Sequence, residues 1–128
     1  MQGFMLYLAF YGLIVVIVIL AQVLVAAQQV GLSTLAGNRA DLVLTGLAGR
    51  MERAANNSLL ALALVAPAVG MIHVAGTAPD LANLLVLTFL VARIFYVALY
   101  ALGVAWLRTA AWMVAFLSTA LLYLQLLL

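Results

Sequence analysis

Residues 4–27 read FMLYLAFYGLIVVIVILAQVLVAA, an apolar run with Gln22 as its one strongly polar member. A helix needs about 20 such residues to cross a bilayer core, so this stretch decides the solvent. It is too long for a signal-peptide core and no basic residue precedes it, so it is read as an uncleaved first span. The whole chain has the same character. Of its 128 residues, 70% are hydrophobic and 6% charged, and the mean hydropathy is +1.35. Ordinary globular chains are about half apolar and a quarter charged. A single domain of this size in water could not cover so much apolar side chain.

Outward from that run, Gln28 to Thr45 is the most polar segment, with Gln28-Gln29, Ser33-Thr34 and Gly37-Asn38-Arg39-Ala40-Asp41, and it reads as a loop. The next apolar run, Leu59 to Ile72, is short for a crossing, but residues 49–58 ahead of it are rich in helix formers and free of proline. One long helix from about Leu42 to His73, polar in its first half and bent at Pro67, accounts for both. Ala75 to Pro79 is a turn leading to Asp80 as N-cap. Leu81 to Leu102 is the third span, Gly103 to Arg108 a tight connection, and Ala110 to Leu128 the fourth span. Trp106 and Trp112 suit the membrane interface. The expectation is one domain, residues 1–128, with spans about 4–27, 42–73, 81–102 and 110–128: an all-α integral membrane protein forming a four-transmembrane-helix bundle.

The net charge of +2 comes from Arg39, Arg50, Arg53, Arg93 and Arg108 against Asp41, Glu52 and Asp80. Dispersed arginines form no nucleic-acid footprint, so no nucleic acid is expected. Cysteine is absent, which excludes disulfides, thiolate metal sites and a protein thiol nucleophile. Sulfur chemistry would have to arrive on a ligand. Arg39, Arg50 and Arg53 follow the first span and Arg108 follows the third, while the connection between spans two and three has no basic residue. The positive-inside rule then puts these arginines in the cytoplasm and both termini outside it.

Polar groups within spans are functional candidates by default. On span two, Arg50, Arg53, Asn57, Leu60 and Leu64 share one helical stripe. On span three, Arg93, Tyr96 and Tyr100 share another, and Arg108 follows at the same membrane face. The stripes can converge on a basic, tyrosine-bearing cavity suited to anions: arginine forks take carboxylates and Asn57 adds a neutral donor and acceptor. An arginine beside a bound thiol would favour the thiolate. Each residue also has a plainer reading. Arg50 and Arg53 suit snorkelling topology anchors, and Tyr96 and Tyr100 suit packing or an interface belt. Arg93 lies roughly 13 Å below the end of its span by helical rise, too deep to snorkel easily. Its plainer reading is a buried pair with Glu52 or a neighbouring subunit. His73 is read as interfacial with no metal partner, and the sequon-like Asn56-Asn57-Ser58 as coincidental.

Arg50-x-x-Arg53-Ala54-x-x-Asn57, Ala92-Arg93-x-x-Tyr96-x-x-x-Tyr100 and Arg108-Thr109 together resemble the MAPEG family, the membrane-associated proteins in eicosanoid and glutathione metabolism. Gly37-Asn38-Arg39-x-Asp41 and Gly46-Leu47-Ala48-Gly49-Arg50 look like its bacterial branch, similar to the microsomal glutathione transferases. The likeness runs over residues 1 to 128. It implies a homotrimer in the bacterial inner membrane, with lipids around it and glutathione, as co-substrate, bound between subunits near the cytoplasmic face. No metal is implied. By the resemblance, Arg53 and Asn57 match positions that hold glutathione, Arg93 and Tyr100 match positions lining its site, and Arg108 matches the catalytic position associated with the thiolate. Arg50 and Tyr96 complete the candidate ligand-binding set. Two positions depart from the pattern: Leu60 stands where the family has a glutamate, and Glu52 where a basic or tyrosine residue often precedes the second arginine.

Two function classes stay open. One is a glutathione transferase or peroxidase acting on lipophilic electrophiles or lipid hydroperoxides. The alternative is a non-catalytic protein of the same fold that binds a lipid or other amphiphilic anion, or is structural. A channel would need polar residues through the full membrane depth, and the outer halves of the spans offer only isolated ones such as Asn83 and Thr88.

Overall fold

A computed structural model of the chain describes residues 2–37 and 42–128. Four long helices, α1 (Gly3–Val30), α3 (Gly46–Ala75), α4 (Pro79–Leu102) and α5 (Ala105–Leu127), are each long and apolar enough to cross a membrane. A short helix, α2 (Leu32–Ala36), follows α1, and no strand occurs among the described residues. The four-helix membrane bundle is therefore as the sequence leads one to expect. Asn38, Arg39 and Asp41 lie outside the described residues.

The boundaries differ from the pattern-based ones, and each difference has a local cause. The polar stretch after the first span is not all loop, because α1 continues to Val30 and α2 follows. Gln29, whose polarity suggested a loop, clamps the entry of α3. Its Nε2 donates to the Thr45 carbonyl at 2.9 Å, and the Thr45 N–H donates to its Oε1 at 3.0 Å. Leu35 of α2 packs with Ala26, Leu44 and Ala48, so the segment buries an apolar side. With Thr45 as N-cap, α3 begins at Gly46 rather than Leu42.

Asp80 is not the N-cap of α4. Pro79 occupies the start of the helix, where its missing N–H is harmless, and Asp80 lies in the first turn, where its charge favours the helix dipole. The tight connection before the last span is shorter than expected. Gly103 sits in the left-handed region at φ +78°; its N–H bonds the Tyr100 carbonyl, and that of Val104 bonds Leu99. This 5→2 and 6→1 pair closes α4 at once. Arg108 thus falls in the first turns of α5 rather than in a linker.

The core is built from one stripe of each helix. Phe4, Tyr11 and Val15 of α1 meet Val65 and Val69 of α3 and Phe89 of α4. The Tyr11 ring stands edge-on to Phe89 at 4.8 Å, and its hydroxyl donates to the Ser58 carbonyl at 3.0 Å. Asn83 of α4 accepts the Phe4 N–H at 2.7 Å, satisfying one of the free donors at the start of α1. Pro67 removes one backbone bond inside α3. Nearby, Tyr123 of α5 donates its hydroxyl to the Leu64 carbonyl at 2.6 Å, tying α5 to α3 beside the proline. Outward-facing Leu13, Val16, Ile17, Leu20 and Leu24 are more than half exposed. A helix apolar on every side belongs in lipid or against another chain.

Candidate functional site

The α3 and α4 stripes meet within the one chain. Arg93 of α4 is 1% exposed. Its Nη1 donates to Asn57 Oδ1 at 2.8 Å and its Nη2 to Ser58 Oγ at 3.2 Å, while its guanidinium sits 4.1 Å from the Tyr96 ring centroid. These contacts replace hydration that an arginine loses in hydrocarbon, a loss of about 2.5–3.5 kcal/mol on insertion scales. The cation–π contact is worth up to about 2 kcal/mol when desolvated. All these partners are neutral. The plainer reading of Arg93 as a partner of Glu52 is not what the fold builds, since Glu52 is exposed and Asn57 and Ser58 hold the guanidinium. Its Nε is buried with no hydrogen-bond partner.

A second group lies towards the arginine-bearing helix ends. The Arg53 Nε donates to the Tyr100 hydroxyl at 3.0 Å, and the Arg108 guanidinium lies 4.4 Å from the Tyr100 ring centroid. Tyr100 and Tyr96 are edge-to-face at 5.6 Å, so the tyrosines link the upper pair of arginines to the deep one. Arg50 has a different position: its Nε donates to the Ala101 carbonyl at 3.2 Å. There it stabilises the C-terminal end of α4, where cations are favoured.

Three guanidiniums thus surround two phenol rings and one amide. Among the described acidic residues, Glu52 is exposed and Asp80 lies at the opposite end of α4. Such an arrangement can bind a carboxylate or thiolate through forked, charge-assisted hydrogen bonds. Among the described residues no cluster of three or more His, Cys, Asp or Glu gathers. His73 is a helix-end tie, with its Nδ1 2.9 Å from Gln2 Oε1.

Two participants were not singled out from the sequence. Ser58 is fully buried and holds Arg93; it sits one residue beyond Asn57, about 100° around the helix and off the stripe. Tyr11 binds the Ser58 backbone from α1, a contact no local spacing announces. Trp112 stacks on Phe116 at 5.1 Å. It lines a cavity of about 290 Å³ between α3, α4 and α5 that reaches Asn57 and Arg93. Trp106 is 88% exposed.

The family model for the MAPEG family matches residues 5–128. No curated protein and no solved structure matches the chain.

Proposed function

The chain belongs to the MAPEG family, and from that premise we propose that it binds glutathione at the arginine cluster and transfers it to a lipophilic electrophile or uses it to reduce a lipid hydroperoxide. The observation that carries this reading is the meeting of Arg53, Arg93 and Arg108 around Tyr96, Tyr100 and Asn57 with neutral partners only. Arg53 and Asn57 hold the tripeptide's carboxylates and backbone, Arg93 and Tyr100 line its site, and Arg108 stabilises the thiolate. Arg50 and Tyr96 support the set from the α4 end and from beneath Arg93. The assembly proposed is a homotrimer surrounded by lipid, with the ligand between subunits. Its place is the bacterial inner membrane, with the arginine-bearing face cytoplasmic and both termini outside.

A second reading, a non-catalytic protein that binds an amphiphilic anion, is favoured by Leu60. It lines the cavity beside Asn57 and is more than half exposed, where the family pattern has an acidic partner for an ammonium group. Conjugation assays separate the two. The detergent-solubilised protein is expected to accelerate addition of glutathione to a lipophilic aryl halide, and Leu60→Glu to lower KM for glutathione by about tenfold, one charge-assisted contact. No acceleration in either protein would leave the non-catalytic reading in place.

A further inference from the structure

The arginine cluster is rich in hydrogen-bond donors, and its side-chain oxygens already accept. We propose that its ligand is an acidic thiol whose amino group is acylated or absent. The proposal rests on the glutathione reading of the cluster and narrows the kind of thiol that fits it best. Glutathione's carboxylates and thiol suit the site; its ammonium is the part that does not.

The balance of donors and acceptors sets the ligand's chemistry. A guanidinium donates and never accepts. Asn57 Oδ1 accepts from Arg93 Nη1 at 2.8 Å, Ser58 Oγ from Arg93 Nη2 at 3.2 Å, and the Tyr100 hydroxyl from Arg53 Nε at 3.0 Å. Arg93 keeps a buried Nε with no partner. A ligand here must therefore bring oxygens, and an ammonium brings only further donors. Its charge is also opposed. The Tyr96 and Tyr100 rings stand 5.6 Å apart. Arg93 lies 4.1 Å from the Tyr96 ring, and Arg108 and Arg53 lie 4.4 Å and 5.8 Å from that of Tyr100. Each of these steps is shorter than the screening length of about 8 Å at physiological salt, so a cation beside either ring feels more than one guanidinium. Among the described residues no carboxylate offsets this, since Glu52 is exposed and Asp80 stands at the opposite end of α4. The wall beside Asn57 includes Leu60 and Leu64, which offer an ammonium neither charge nor acceptor. An acyl group on the same nitrogen removes the charge and adds a carbonyl that accepts. Like charge set against a group is a means of excluding it.

Glutaryl-cysteinylglycine keeps both carboxylates and the thiol of glutathione and lacks only its amino group, so comparing the two isolates the ammonium. The measurement is ultraviolet detection of thiolate as each is titrated into the detergent-solubilised protein. The amine-free thiol is expected to half-saturate the site at a concentration at least about tenfold lower than glutathione, the cost of one charged group left without a partner. N-acetylglutathione should follow the amine-free thiol, and high salt should narrow the gap. Leu60→Glu should reverse the order. Equal or tighter binding of glutathione by the wild type would overturn the proposal. So would a Glu52→Gln variant that binds glutathione more weakly and the amine-free thiol unchanged, because the ammonium would then have an acidic partner. If the amine-free thiols ionise and glutathione does not, the proposal stands and the glutathione reading falls. If glutathione ionises with no preference against it, the proposal alone falls. If none of the three ionises, both fall.

Discussion

Asn57→Leu is expected to destabilise the protein by about 2–3 kcal/mol and to remove anion binding at the cluster. Ordinary interhelical hydrogen bonds in membranes average only about 0.6 kcal/mol. The contact here differs because its donor is a buried guanidinium, and loss of the acceptor leaves a charged group short of a partner. Removing both sides should hurt less: Asn57→Leu with Arg93→Met replaces the pair by apolar groups of similar volume, and such exchanges are often near neutral. Thermal unfolding in detergent is expected to rank wild type and double variant close together, with the single variant below. Binding should be absent from both variants. A single variant within about 0.5 kcal/mol of wild type, the range of surface changes, together with a weaker double variant, would contradict the role given to Arg93.

The second large effect concerns two glycines of the same helix. A Cβ at Gly49 would lie 2.7 Å from the Leu44 carbonyl oxygen and 3.3 Å from Arg53 Nη1, whereas one at Gly70 meets nothing within 4 Å. Gly70→Ala should therefore follow helix propensity and stabilise by about 0.5–1 kcal/mol. Gly49→Ala forces backbone apart at the entry of α3, a cost of about 1–3 kcal/mol for overpacking. It should also weaken anion binding by displacing Arg53. Equal effects of the two substitutions on thermal stability would show that α3 does not approach Leu44 this closely.

The bundle was legible because lipid imposes one rule over long distances: every backbone group in a span is satisfied by helix, so apolar length suffices. Boundaries follow weaker, local chemistry. Gln29 looked like a loop residue because its polarity carries no sign of the Thr45 backbone it clamps. Asp80 looked like a cap because aspartate favours that position, but Ala78 holds it and Pro79 opens the helix, which moves Asp80 into the first turn. In the site, residues on stripes were found: Arg53, Asn57, Arg93, Tyr96 and Tyr100 converge across helices as periodicity implies. Ser58 and Tyr11 were not, since each acts from off those stripes or from a helix remote in sequence. The neutrality of Arg93's partners was equally hidden, because Glu52 precedes Asn57 by only five residues and still faces outward.

The central claim is that Arg53, Arg93 and Arg108 form one anion site in which a bound thiol ionises. Ultraviolet detection of thiolate during glutathione titration tests it most directly, with wild type beside Arg108→Ala. The account predicts saturable thiolate formation near neutral pH in the wild type, and a loss of about 10- to 100-fold in Arg108→Ala, the value of one hydrogen bond to a charged group. Glutathione that neither binds nor ionises in the wild type, or ionises equally in both proteins, would contradict it.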